Sequence, residues 1–301
     1  MKADFKSELT KMYPFKENYF SVGEHQIHYV DHYSGGEQPP RGTVVMVHGN
    51  PSWSFLYRNL ILALANNYRC IAIDHLGCGL SDKPQDYHYC LENHISNLKG
   101  LINHLELDQL SIIVHDWGGA IGSGIVTSMP DKITSMTVLN SAAFPMDEIP
   151  WRINVLRTPF LGSLLIRWLN AFAWPASWMA TDLPLSSLVR AGYLYPYRSA
   201  HDRIAIARFV EDIPMSSSHP SYPLLRKIEQ RLHIIKPIPT QLVWGEDDFC
   251  FTNNFLARWM EILPHAQTHL LANCGHYVQE DGKEQLIPLV LDFLNSKSAA
   301  N

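Results

Sequence analysis

The sequence predicts an α/β fold: a mostly parallel central sheet flanked by helices, interrupted by a helical insert. Two observations carry this. Short β-rich runs alternate with helical patterns through the first half of the 301 residues, the rhythm of βαβ units. That rhythm stops after Asn140 and resumes near Thr240.

The elements follow in order. "QIHYVD" (26–31), "GTVVMVHG" (42–49), "RCIAID" (69–74), "LSIIVHD" (110–116) and "ITSMTVLN" (133–140) read as strands. The last three are nearly all apolar, which suits strands covered by helices on both faces. Helices are predicted over 54–67, 91–105 and 118–129. From about Met146 to Arg226 the chain is rich in Trp, Pro, Tyr, Met and Ser and shows no strand pattern. Beyond it come a strand (240–248), a helix (253–263), a last strand (267–276) and a closing helix (283–294). Pro288 weighs against that last helix, because proline lacks a backbone donor. The insert belongs over the carboxyl ends of the strands, where open α/β sheets bind ligands.

Composition narrows the function. A chain 46% hydrophobic is long enough for one large core. The net charge is -5 and no basic patch stands out, so nucleic acid is excluded as an expected partner. The five cysteines are scattered and lack paired metal spacing, which points to a reduced, cytoplasmic protein. "MKADFKSELTKMYPF" has no apolar run of the kind a secretion signal needs. The most apolar stretch, Thr158 to Ala180, is interrupted by Arg167, Asn170 and Pro175 and makes a poor bilayer span.

The chemistry is carried by "VHDWGG" (114–119), which follows a strand and opens a glycine-rich helix. Val114-His115-Asp116-Trp117-Gly118 overlays the G-x-S-x-G nucleophile turn, with Val in place of the first Gly and Asp in place of Ser. Aspartate also caps helices, so Asp116 alone does not decide. Asp248 and His276, each just past a late strand, complete the chain order nucleophile, acid, histidine expected of that turn. Glu246 and Asp247 compete with Asp248 for the acid role on spacing alone. "HGNPSW" (48–53) occupies the loop that supplies oxyanion contacts, and Asn50 and Trp117 both carry side-chain N–H donors. A carboxylate, with an ordinary pKa of about 3.9, is ionised at neutral pH and needs no base before it attacks. It displaces a leaving group at saturated carbon to give an enzyme ester, and a histidine then activates water against that ester. Two N–H donors beside it suit a leaving group that departs as an anion.

With "VHGNPSWSFLYR", "DHLGCGLSDKP", "VHDWGGAIG", "LNSAAFP", "WGEDD" and "GHYVQED", residues 14 to 295 resemble the haloalkane dehalogenase superfamily of α/β-hydrolases. The resemblance implies an α/β-hydrolase fold with a helical cap inserted after the sixth strand: core 1–145, cap 146–226, core 227–301. It implies Asp116 as nucleophile, His276 as base, Asp248 as its acid, and Asn50 with Trp117 as the anion-holding pair. Asn140 stands where other branches carry the acid. No cofactor or metal is implied.

"PWRI" (150–153), "LNAFAW" (169–174), "EDIP" (211–214) and "DFCF" (248–251) look closer to the β-lactone decarboxylases of bacterial long-chain olefin synthesis. That subgroup converts a cis-β-lactone with two long alkyl chains to a cis-alkene and CO2. The alternative is hydrolysis of 1-haloalkanes to alcohol and halide through an alkyl-aspartate ester. Trp151, Phe160, Trp168, Phe172, Trp174, Trp178 and Met179 crowd the insert and read either as lining an elongated apolar pocket or as cap core. An epoxide hydrolase would draw on Tyr193, Tyr195, Tyr197 or Tyr222, a reading Asn50 opposes. A non-catalytic binding protein is a reading from another class, and the retained Asp116, Asp248 and His276 oppose it. The expected partners are a small apolar substrate, other olefin-biosynthesis enzymes in an assembly, and a peripheral contact with a membrane.

Overall fold

A computed structural model describes residues 2–298. Its strands are β1 (Glu17–Val22), β2 (His25–His32), β3 (Thr43–Val47), β4 (Arg69–Ile73), β5 (Leu110–Asp116), β6 (Ile133–Ser141), β7 (Thr240–Gly245) and β8 (Gln267–Leu271). They form one sheet in the order β1-β2-β4-β3-β5-β6-β7-β8. β1 and β2 pair antiparallel, β2 joins β4 antiparallel, and every other pairing is parallel.

The run "TVVMV" shows why both faces are apolar. Val45 and Val47 pack into one buried cluster, with Ile71, Ile73, Ile112 and Val114. Val44 and Met46 pack into a second, with Cys70, Ala72 and Ile113. Alternate residues point to opposite faces, so an unbroken apolar run feeds both layers of core. β5 and β6 lie near the middle of the sheet, and the helical insert leaves from the end of β6. Six helices lie between β6 and β7, from Trp151–Leu156 to Tyr222–Arg231. Among the described residues no helix is long and apolar enough to cross a membrane.

Several elements differ from the sequence reading. β1 was not expected; its half-buried and exposed residues alternate and none is fully buried, so its apolar signal is weak. The helix Lys2–Met12 was likewise unassigned. The stretch 54–67 divides into a 3-10 turn, Ser54–Tyr57, and a helix, Arg58–Leu64. β8 stops at Leu271, short of His276; Asn273 then takes a left-handed φ of 54° and turns the chain. The closing helix runs Lys283–Ser298 straight through Pro288. Leu286, Val290 and Leu294 bury against the core there, and that packing outweighs one missing hydrogen bond.

The insert holds the largest surprise. Trp151, Phe160, Trp168, Trp174 and Trp178 neither line the catalytic cavity nor form a cap core; all five are exposed. Only Phe172 of the named aromatics faces the cavity described below. Arginines 152 and 190 lie over the Trp151 and Trp178 rings at 5.3 and 3.3 Å.

One buried ion pair ties the halves of the core together. Arg58 meets Glu280 through two hydrogen bonds of 2.5 and 2.9 Å, and the Tyr193 hydroxyl donates to the same carboxylate at 2.5 Å. Both charged side chains are less than a tenth exposed. Glu280→Ala leaves a buried guanidinium without its counter-ion and is expected to cost about 3–5 kcal/mol. Denaturant unfolding checks this; an unchanged midpoint contradicts it.

Candidate active site

β5 delivers Asp116 to the carboxyl edge of the sheet, and the helix Trp117–Ser128 starts at the next residue. The turn between them is strained: Asp116 has φ 53° and ψ −127°, which places a non-glycine residue where L-residues rarely go. Its carbonyl accepts a hydrogen bond from the Ser141 hydroxyl at the end of β6. Neighbouring glycines make room. A Cβ on Gly49 would sit 1.9 Å from Asp116 Oδ1, and one on Gly118 would sit 2.1 Å from the Val47 carbonyl.

The Asp116 carboxylate is held by backbone. The Asn50 N–H donates to Oδ1 at 2.7 Å, and the Trp117 N–H also donates to it. These are the donors that would cradle an oxyanion beside a serine. The aspartate occupies them itself, so a departing anion is left to side-chain donors. Asn50 Nδ2 spends one hydrogen on the Ile206 carbonyl at 3.2 Å and keeps a second. The Trp117 ring borders the cavity and packs on Phe209, centroids 5.4 Å apart.

His276 stands opposite. Its Nδ1 donates to Asp248 Oδ2 at 2.9 Å, and Nε2 lies 3.6 Å from Asp116 Oδ2. Phe251 stacks on the imidazole at 5.7 Å, and His115 donates to the His276 carbonyl at 2.8 Å. Asp248 is buried behind the histidine, whereas Glu246 and Asp247 are exposed, so geometry selects among the three acids. Asn140 donates to Asp248 Oδ2 at 2.9 Å and the Cys250 N–H to Oδ1 at 2.7 Å. The residue at the position of the alternative acid thus supports the acid present.

Burial pushes the Asp116 carboxyl above its ordinary 3.8, and the nearby His276 and the two backbone N–H groups only partly offset this. For His276 burial disfavours the imidazolium. The Asp248 charge and hydrogen bond, with the Asp116 charge, outweigh that and hold the pKa above 6.5. A carboxylate and an imidazolium facing each other in a dry site stabilise one another.

Asp116, His276, Asn50 and Trp117 border one cavity. Its walls are mostly apolar. Pro150, Ile153, Phe172, Ile213, Pro214, Phe249 and Phe251 belong to it, so all four short segments singled out in the sequence border the site. Tyr193, Tyr195, Tyr197 and Tyr222 do not line it. Tyr193 and Tyr197 are buried and bonded elsewhere, to Glu280 and to the Ser52 carbonyl. The tyrosine that does border the cavity is Tyr277, next to His276; it falls in "GHYVQED", as Phe251 falls in "DFCF", but the sequence reading assigned neither a role of its own. Among the described residues no cluster suited to a metal ion is present.

A family model for the alpha/beta hydrolase fold matches residues 42–283. The chain belongs to the α/β-hydrolase family. Within this family, it is 40% identical to the cis-3-alkyl-4-alkyloxetan-2-one decarboxylase of Shewanella oneidensis, over 95% of the chain and 90% of the relative. A protein of the same description from Xanthomonas campestris is 39% identical, over 86% of the chain and 90% of the relative. Among α/β-hydrolases of known structure, an ancestral haloalkane dehalogenase superposes with a TM-score of 0.85 at 25% identity, covering 94% of this chain and 99% of the other.

Asn140→Ala removes a hydrogen bond to a buried carboxylate and is expected to lower stability by about 1.5–3 kcal/mol. Thermal denaturation measures the loss, and an unchanged melting temperature contradicts the bridging role.

Proposed function

We propose that this α/β-hydrolase is a β-lactone decarboxylase. It converts a long-chain cis-3,4-dialkyl β-lactone to a cis-alkene and CO2, by aspartate nucleophilic catalysis, in long-chain olefin biosynthesis. The observation that carries this is the pair of decarboxylase relatives about 40% identical across most of the chain. The apolar cavity supports it, since two alkyl chains need such walls.

In this reading Asp116 is the nucleophile and residues 146–226 are the cap over it. Asp116 attacks the alkyl-bearing ring carbon, with inversion, and the ring C–O bond breaks. The freed carboxylate stays attached to the neighbouring carbon and takes hydrogen bonds from the Asn50 and Trp117 side chains. The C–CO2 bond then supplies the electron pair of the new double bond, and the Asp116 ester oxygen departs from the opposite face. Inversion followed by anti elimination gives a cis-alkene from a cis-lactone. Attack at the lactone carbonyl, through an anhydride, starts from the same contact. Neither route consumes water. His276, held by Asp248, places positive charge beside Asp116 as it is released.

Haloalkane hydrolysis is the second reading, favoured by the dehalogenase likeness in structure. There the same Asp116 would form an ester at the halide-bearing carbon, and neutral His276 would activate water against it. Five free cysteines support a reducing, cytoplasmic setting. The poor solubility of the substrate supports work in an assembly with the enzymes of the same synthesis.

A cis-dialkyl β-lactone and a 1-haloalkane, assayed side by side across the acid range, separate the two. Alkene release without halide release is expected. Both reactions need ionised Asp116, so both fall as pH drops through a value above 3.8. Hydrolysis also needs neutral His276 and is lost earlier, through a value above 6.5. Alkene formation persists between those limits. Halide release with the lactone untouched would overturn the assignment.

A further inference from the structure

The helix Leu161–Leu169 is apolar on the side that faces away from the protein. Gly162 and Ile166 are buried, whereas Leu161, Leu164 and Trp168, at helical spacing, are 49%, 55% and 69% exposed. Phe160 precedes them, 91% exposed and with a left-handed φ of 61°. Phe160, Leu164 and Trp168 line an open surface groove together with Arg157 and Arg167. The groove also holds Arg208, which pairs with Glu211 at 2.5 Å. Contiguous exposed apolar surface of this kind marks an interaction site.

Charge says what covers it. Residues 150–200 contain five arginines (152, 157, 167, 190 and 198) and one acid, Asp182, in a chain whose net charge is -5. Among the described residues none of those five arginines has a carboxylate within 4.0 Å. Carbonyls and aromatic rings contact them, and no acid of the described residues neutralises their charge at that distance. Exposed Trp, Phe and Leu interleaved with arginine match the chemistry of a membrane interface carrying anionic headgroups: rings and aliphatic chains enter the acyl boundary while guanidinium groups stay at the phosphates.

The position of this face is informative. The helix Trp151–Leu156 gives Ile153 to the catalytic cavity and Asn154 to the groove. The helix Ile204–Glu211 gives Val210 to the cavity and Glu211 to the groove. Arg157 of the groove donates to the Ile213 carbonyl at 3.0 Å. Neighbouring residues of the same helices thus border both spaces.

We infer that the outward face of the Leu161–Leu169 helix, with Phe160 and the flanking arginines, is a docking surface for an anionic lipid bilayer. It holds the cavity beside the phase in which a dialkyl substrate dissolves. The docking itself does not depend on which apolar substrate the cavity takes.

The experiment is flotation of the full-length protein with vesicles of phosphatidylcholine alone, and of phosphatidylcholine and phosphatidylglycerol in equal parts. The mixed vesicles are expected to carry the protein up, less so at high salt. The variant Phe160→Ser/Leu164→Ser/Trp168→Ser is expected to bind them on the order of tenfold or more weakly, since each side chain loses a buried apolar contact. It should keep the wild-type melting temperature and turnover of a short-chain, soluble lactone. Absence of wild-type flotation overturns the inference, as does equal flotation with phosphatidylcholine alone or an undiminished variant. So does a wild-type dimer that the triple substitution dissociates, because a second copy would then cover the face. Flotation is read without substrate, so its failure is distinct from failure of the decarboxylase assignment.

Discussion

The contact between Asp116 and the backbone N–H groups of Asn50 and Trp117 organises the rest of this molecule. Two loops must meet at the carboxyl edge of β3 and β5 for it to form, and Gly49 must lack a side chain so that the carboxylate fits. The same contact commits the chemistry. Donors that would stabilise an oxyanion beside a serine are spent on keeping a buried aspartate charged. In the proposed function this suits attack by the carboxylate, with the leaving anion held by side chains rather than backbone.

A charged aspartate in an apolar cavity carries a desolvation cost, and the layers around it are arranged to offset that cost. His276 supplies the nearest opposite charge at 3.6 Å. Asp248, itself given hydrogen bonds by Asn140 and the Cys250 N–H, keeps that histidine oriented. Phe251 stacks on its ring. Apart from the exposed Glu148, polarity in the wall is concentrated in this chain of contacts, and most of the rest is apolar. Selectivity for an apolar substrate follows from the same division.

Much of this was legible in the sequence, and the reasons differ by residue. The central strands were readable because burial on both faces demands unbroken apolar runs. Asp116, Asp248 and His276 were readable because a strand end is a fixed address in this fold, and chain order does the rest. Asn140 was noticed only as the place where an acid was missing; its bond to Asp248 needed coordinates, since β6 and β7 bring together positions 108 residues apart. β1 was missed because none of its residues is fully buried. The cap aromatics were misread for a related reason: composition reports that a segment is apolar but not which side of a short helix faces in. Tyr277 and Phe251 fall in quoted segments without a role of their own, and only the cavity shows that they border the site.

The central claim is that the Asp116 side chain bonds covalently to the substrate carbon skeleton. Rapid acid quench of the enzyme with a cis-dialkyl β-lactone, followed by peptide mass mapping, tests it most directly. The account predicts the lactone mass on the peptide containing Asp116, and no adduct in Asp116→Asn. An adduct on any other residue, or alkene formation undiminished in Asp116→Asn, would contradict it.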